Sequence, residues 1–372
     1  MRITELEIVR AHPRWQFLRI HTNTGLVGIA DLLLEGHMAT MRQAVRDLEY
    51  YLIGQDPRLI ERHWQALYRG AFYRGGPVLM SALSSVEMCL WDILGQSLST
   101  PLHQLLGGAV RQRIRVYAQV HGGASTDLAQ NAAAAVAQGF QAIKVNVMPP
   151  VRALESRAWL NSQIERFGGV RHAIGQDVDM AVDCHGRLSP TVALQLAQAL
   201  APLHPLFLEE PCLPENIDAL AWVAERSPVP IAAGERHYTR FGFRPILERH
   251  AAAVLQPDLC HAGGLGEVRK IAAMAEVYYV TIAPHNPNSP LNLAYGLHLD
   301  AVIPNFLCQE QVSLGLECLV NPFRLDEDGC LAVPGEPGLG VTLRPESLLT
   351  EDALADDPLP MMVDRDGAPA DW

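Results

Sequence analysis

The fold class that this sequence predicts is α/β: a parallel barrel preceded by a smaller α+β unit. Three observations predict it. Beyond Arg113, short apolar and β-branched runs alternate with Ala-, Leu- and Glu-rich helical stretches through eight repeats. No G-x-G-x-x-G opens any of those helices, which disfavours the open doubly wound sheet. The first part of the chain, about 110 residues, lacks this alternation. At 372 residues, with 49% hydrophobic and 19% charged, the chain is long and apolar enough for a large core.

In order along the chain, Ile3 to Val9 and Trp15 to His21 read as paired strands, with a turn at Gly25 to Gly28. Apolar residues at helical spacing follow over 41–52, then over roughly 57–70 and 77–95. Gly107-Gly108 closes this unit. The barrel strands are expected at 115–120, 142–147, 180–184, 206–209, 230–234, 254–256, 280–284 and 305–309. The last stretch is rich in Pro, Gly and Asp, has no βα periodicity, and is expected to pack back on the first unit. The division is therefore 1–112, 113–324 and 325–372.

Lys plus Arg number 29 against 41 for Asp plus Glu, a net charge of −12 with no basic run. Nucleic acid and anionic membranes need a concentrated positive face, so neither is expected as a partner. No run of about 18 apolar residues stands out as a membrane span, and no apolar segment opens the chain. The seven cysteines include no C-x-x-C pair and read as reduced thiols of a cytoplasmic protein.

The chemistry is expected at the C-terminal ends of the barrel strands. Asp183, Glu209, Glu235, Asp258, His285 and Glu310 succeed one another in steps of 23 to 27 residues, one βα unit each, so they converge on one mouth. Lys144 and Asn146 end the second strand on the same side. Acids held this close repel and raise each other's pKa unless a cation sits among them. Asp183, Glu209 and Glu235 form the natural trio, and an all-oxygen set favours Mg²⁺ or Mn²⁺ over zinc. Glu209 and Glu210 point to opposite sides of their strand, and spacing alone does not choose between them. His185 shares a side with Asp183. Asp258 next to His285 is the arrangement that fixes a histidine tautomer and makes the other ring nitrogen a general base.

Trp91-Asp-Ile-Leu-Gly95, Glu209-Glu-Pro211, Ala233-Gly-Glu235 and Gln256-Pro-Asp258 with Gly263-Gly264 resemble the enolase superfamily, and the Asp258/His285 pair with Glu310 resembles its mandelate racemase subgroup. Phe72-Tyr-Arg-Gly-Gly-Pro77, Lys144-Val-Asn146, Asp183-Cys-His-Gly-Arg187 and Gly234-Glu-Arg236 look like the D-galactonate dehydratase family. The resemblance implies a modified (β/α)₇β barrel under a capping domain built from both chain ends, a homo-oligomer, and Glu209 as the ligand. It also implies a mechanism general to the superfamily, in which Mg²⁺ and a His base act together on a carbon acid. His285 takes the C2 proton of an acid sugar, His185 protonates the departing 3-hydroxyl, and Glu310, if it carries a proton, donates a hydrogen bond to the substrate carboxylate.

Lys144, Asn146, Arg236, Arg14 and Trp15, with the loop 31–38, are the expected substrate contacts. Racemases and lactonising members carry Lys-x-Lys where this chain has Lys144 and Asn146. A racemase, and a catalytically inert sugar-acid binder, are the alternatives to a dehydratase. Two departures from the galactonate pattern bear on which acid sugar is accepted. Asn286-Pro-Asn-Ser-Pro290 replaces Cys-Pro-Leu-Gly-Pro, and Gln119 and His121 replace Trp and Gly.

Overall fold

Alternating apolar residues at the start of the chain produce a sheet with one buried face. The computed structural model describes residues 1–11, 14–122, 125–147, 151–349, 361–364 and 366–371. In it β1 (Ile3–Ala11), β2 (Gln16–Thr22) and β3 (Val27–Asp31) form an antiparallel meander. Helices α1 (Met38–Leu52), α2 (Ile60–Gly70), α3 (Pro77–Ser97) and the short α4 (Leu102–Leu105) follow. Proline opens α3, where its missing N–H costs nothing. By length and composition α3 could cross a bilayer, which the sequence reading did not anticipate; it lies mostly buried as a central core helix.

The barrel then runs without interruption. It comprises β4 (Arg113–Val120), α5 (Ser125–Ala137), β5 (Ala142–Asn146), α6 (Arg157–Ile174), β6 (Asp179–Asp183), α7 (Pro190–Leu200), β7 (Leu208–Glu209) and α8 (Ile217–Arg226). It continues with β8 (Ile231–Ala233), α9 (Thr239–Glu248), β9 (Val254–Leu255), α10 (Leu265–Val277), β10 (Thr281–Ile282), α11 (Pro290–Val302) and β11 (Gln309–Gln311). All neighbouring pairs are parallel. The Ile282–Phe306 bridge and the bond from Ile282 N to Asn305 O close β10 on the last strand. With no helix after β11 joining the ring among the described residues, the architecture is (β/α)₇β.

The last strand differs from its expected span, 305–309. Asn305 spends its amide on the carbonyls of Ala272 and Val280, at 3.1 and 2.9 Å. Its backbone and that of Leu307 pair with Ile282 of β10, and the ladder to β4 starts only at Gln309. Beyond these strands, β12 (Cys330–Ala332) pairs antiparallel with the barrel strand β4, while β13 (Leu348–Leu349) joins β1 of the capping sheet, so the C-terminal segment touches both units.

Period-two alternation explains why the mouth is polar and the floor dry. Tyr117, Ala142, Ala181, Phe207, Val254, Ala283 and Cys308 pack as one buried cluster. Each stands two residues before a mouth residue: Gln119, Lys144, Asp183, Glu209, Gln256, His285 and Glu310. Small residues predominate because the barrel interior is narrow.

Two acids of α3 tie cap to barrel. Glu87 accepts from the backbone N–H of Leu265 and Gly266 at 2.9 and 2.8 Å, capping α10, and from Trp91 Nε1 at 2.7 Å. Asp92 accepts from Ile29 N and Leu339 N, at 3.1 and 2.9 Å, joining β3 to the C-terminal segment. Burial pushes the Glu87 carboxyl up to about 8, despite those bonds. A folded-state pKa above the unfolded one means that protonation favours folding. That stabilisation is complete below about 4.5 and fades as pH rises toward 8. Glu87→Gln is therefore expected to flatten the fall in stability between pH 5 and pH 8.5, read from urea midpoints. An unchanged slope would contradict the assignment.

Candidate active site at the barrel mouth

Lys144 ends up at the centre of the mouth with no exposed surface, because β5 directs it inward above Ala142. Its Nζ lies 2.6 Å from Glu209 Oε1, 2.7 Å from Glu310 Oε1 and 3.4 Å from Asp183 Oδ2. Burial disfavours the ammonium, but Glu209, Glu310, Tyr117 and Asp183 outweigh it and hold the group well above the ordinary lysine range. Gln256 Nε2 donates to Glu209 Oε2 at 2.6 Å. Burial and the charge of Asp183 push Glu209 upward, against Lys144. Asp183 is held low, because Lys144 and His185 more than offset its burial.

Glu210 leaves on the opposite side, as alternation requires, and meets Arg236 Nε at 2.7 Å. Burial, with the charge of Glu235, pushes Glu210 up to about 8. Both turns after the strands use left-handed backbone at non-glycine residues, φ 50 at His185 and φ 34 at Glu210. Such conformations cost energy and gather at functional sites.

His185 Nε2 lies 3.1 Å from Asp183 Oδ2, and its backbone N–H donates to Asp183 Oδ1 at 3.0 Å. Arg187 Nη2 donates to His185 Nδ1 at 3.0 Å. A guanidinium can only donate, so in the neutral ring the proton sits on Nε2, facing Asp183. Asn146 contacts the same Nε2 at 3.0 Å, and its Oδ1 makes no hydrogen bond. Turning the amide by 180° places that carbonyl where it accepts from Nε2–H, the arrangement consistent with Arg187.

Across the mouth, His285 Nδ1 lies 2.9 Å from Asp258 Oδ2, and Nε2 is 3.4 Å from Glu235 Oε2 and 3.9 Å from Glu310 Oε2. Asp258 also accepts from Cys260 N at 2.7 Å and Asn288 Nδ2 at 2.9 Å. Burial opposes a charged His285, but Glu235, Glu310 and Asp258 together raise it well above the ordinary histidine value. Glu310 accepts from Gln119 Nε2 at 2.5 Å and from Asn286 N at 2.9 Å. Burial opposes its charge, but Lys144 and His285 keep it below the usual glutamate range. The Lys144 ammonium at 2.7 Å thus favours the ionised form of Glu310 over the protonated donor considered from the sequence.

One oxygen from each of Asp183, Glu209 and Glu235 lies within 4.8 Å of the other two. Glu235 Oε2 is buried without a hydrogen-bond partner. A crowded, partly unsatisfied carboxylate set fits a hard divalent cation, for which oxygen is the preferred ligand.

The chain matches the family model described as the mandelate racemase / muconate lactonizing enzyme N-terminal domain over residues 9–107. It matches the enolase C-terminal domain-like model over residues 127–347. It belongs to the mandelate racemase / muconate lactonizing enzyme family of the enolase superfamily. Relatives of that family named D-galactonate dehydratase, from Ralstonia nicotianae and Verminephrobacter eiseniae, are 42% and 43% identical to it over 100% of both chains. A mandelate racemase/muconate lactonizing enzyme structure from Sulfitobacter superposes with TM-score 0.90 at 31% identity, covering 100% of both chains. An enolase-superfamily member from Salmonella Typhimurium gives TM-score 0.86 at 31% identity, covering 93% of this chain and 97% of that one.

The family site thus gathers Lys144, Asn146, Asp183, His185, Glu209, Glu235, Asp258, His285 and Glu310 around one mouth. The other expected substrate contacts have the following surroundings. Trp15 is buried in the hydrophobic core, and Arg236 is engaged by Glu210. Arg14 is half exposed, 3.5 Å from the carbonyl of Pro287 and 3.8 Å from Glu35. Within the loop 31–38, the Asp31 carboxylate accepts from Ser289 Oγ, on the loop after His285. Sequence reasoning gave no role to Gln256, Arg187 or Asn288, although the first two lie inside motifs quoted for the resemblance.

Lys144→Met would leave buried carboxylates without their cation. It is expected to cost about 3–5 kcal/mol of stability, measured by urea unfolding in the presence of chelator. A loss below about 1 kcal/mol would show that the ammonium is not what holds these acids together.

Proposed function

We propose that this chain is a divalent-cation-dependent acid-sugar dehydratase, a hydro-lyase acting on an aldonate. D-galactonate is the substrate that the names of its relatives point to. The observation that carries the reading is the pair of imidazoles facing one acid trio, His185 beside Asp183 and His285 beside Glu235, with opposite partners on their far nitrogens.

Asp183, Glu209 and Glu235 would hold the cation, Mg²⁺ or Mn²⁺ by ligand type, and when bound it supplies positive charge where negative charge develops on the substrate carboxylate. With the cation offsetting the charge of Glu235, His285 would be neutral and its Nε2 would take the proton from C2, Asp258 holding Nδ1–H and stabilising the imidazolium. The C3–O bond breaks as His185 Nε2–H passes its proton to the leaving hydroxyl, which departs as water. The enol then ketonises to a 2-keto-3-deoxy acid. Asn146 and Lys144 orient the polar groups at this end of the cavity.

Lys144 disfavours the racemase alternative. Its ammonium is shared among three carboxylates, and Asn146 stands where Lys-x-Lys members carry the second lysine. The inert-binder alternative has no support in a lost group, since every expected acid, base and ligand is present. The same reading divides the chain at 112/113 and 324/325, supported by β4 starting at Arg113. It also places the protein in the cytoplasm as a homo-oligomer, supported by seven free cysteines in the first respect and the family resemblance in the second.

Substrate screening over hexonates, pentonates and aldarates with Mg²⁺ is expected to give a 2-keto-3-deoxy product from galactonate. His285→Asn should lower both C2–H exchange in D₂O and elimination by about 10²–10⁴-fold. His185→Asn should lose elimination while keeping exchange. Exchange at the wild-type rate in His285→Asn, or full turnover after chelation, would refute the scheme.

A further inference from the structure

The loop after β10 reads Asn286-Pro287-Asn288-Ser289, the segment that departs from the galactonate pattern. Asn286, Asn288 and Ser289 are buried, and each bonds to a different wall. The Asn286 N–H donates to Glu310 Oε2, and its Oδ1 accepts from Asn292 Nδ2 at 3.0 Å. Asn288 Nδ2 donates to Asp258 Oδ2 at 2.9 Å. Ser289 Oγ donates to Asp31 Oδ2 at 2.8 Å, so the loop is fastened to the capping sheet.

Asp258 Oδ2 therefore receives two donors at the same distance, Asn288 and His285, while Oδ1 receives the Cys260 N–H. Terminal carboxylate torsions are broad, and one backbone bond leaves the plane free to swing. A third donor fixes that plane, and with it the direction in which Oδ2 meets the imidazole. Leucine, the residue of the galactonate pattern here, cannot donate.

We propose that Asn288 is a positioning residue for the Asp258/His285 dyad, and that the Ser289–Asp31 contact holds the loop so that cap placement and dyad geometry are coupled. The activity arm of the test rests on the dehydratase reading. The spectroscopic arm does not.

Asn288→Leu and Asn288→Ala both remove the donor but differ in volume. In the full-length holoenzyme with galactonate and Mg²⁺, both are expected to lower kcat about 10–100-fold, with KM within about threefold of wild type. In the metal-free protein labelled with ¹⁵N-histidine at one fixed pH, the Nδ1–H resonance of His285, assigned by its loss in His285→Asn, should shift and broaden in both. Should neither variant fold, Ser289→Ala keeps the Asn288 donor, removes the side-chain bond to Asp31 while the Ser289 N–H bond to Asp31 Oδ1 remains, and should shift the same resonance from its wild-type position, an unmoved resonance again overturning the proposal. An unmoved resonance in folded variants overturns the proposal. So does recovery of kcat by leucine alone, which would assign Asn288 to packing. If wild type does not turn over galactonate, the substrate reading fails while the resonance still decides the positioning role.

Discussion

Concentrating negative charge in a dry barrel mouth is the constraint on which the site depends. Asp183, Glu209 and Glu310 have almost no exposed surface, and Glu235 little. Isolated carboxylates in such a place would take up protons rather than stay charged. Lys144 prevents this for Asp183 and Glu310, with a single ammonium reaching three acids. Glu209, the most crowded, is still pushed upward. The protein alone therefore leaves the trio short of positive charge, a deficit that a small hard cation would fill.

The scaffold sustains this because the charged layer rests on a dry one. Alanines at 142, 181 and 283 and the cysteine at 308 fill the barrel immediately below the acids and bases. No water can enter from beneath to relax the charges, and the side chains above have little room to turn. The cap contributes similarly: Glu87 fixes the start of α10, which follows the β9 loop carrying Asp258, and Asp31 fixes the loop carrying Asn288. Burial pushes Asp31 up to about 7 and Glu87 to about 8, so cap and barrel are joined through acids whose charge is itself strained.

Much of this was legible in the sequence because barrels convert a chain interval into a height. The near-constant step from Asp183 to Glu310 marked the mouth, and alternation separated Glu209 from Glu210 without saying which faced inward. Alternation could not reveal contacts that depend on how loops turn. His185 and Glu210 leave their strands through left-handed backbone, and that curl brings Arg187 back to His185 and Arg236 to Glu210. Lys144 was read as a substrate contact because a lysine at a strand end looks accessible. Its burial follows from three acids that only the closed ring brings together. Trp15 was read as a substrate contact of the cap, yet an indole of that size next to the capping core is drawn into it.

In the proposed scheme the two histidines would serve opposite tasks. Both rings face the same acids through Nε2, so position alone does not distinguish them. Their Nδ1 partners do. Arg187 can only donate, which forces the His185 proton onto Nε2, where it is available to give. Asp258 can only accept while ionised, which fixes the His285 proton on Nδ1 and, in the neutral ring, leaves Nε2 a lone pair with which to take. Exchanging these two partners would exchange acid for base while leaving every ligand to the cation in place. The direction of the reaction across the cavity is thus written in a guanidinium and a carboxylate that need never touch the substrate.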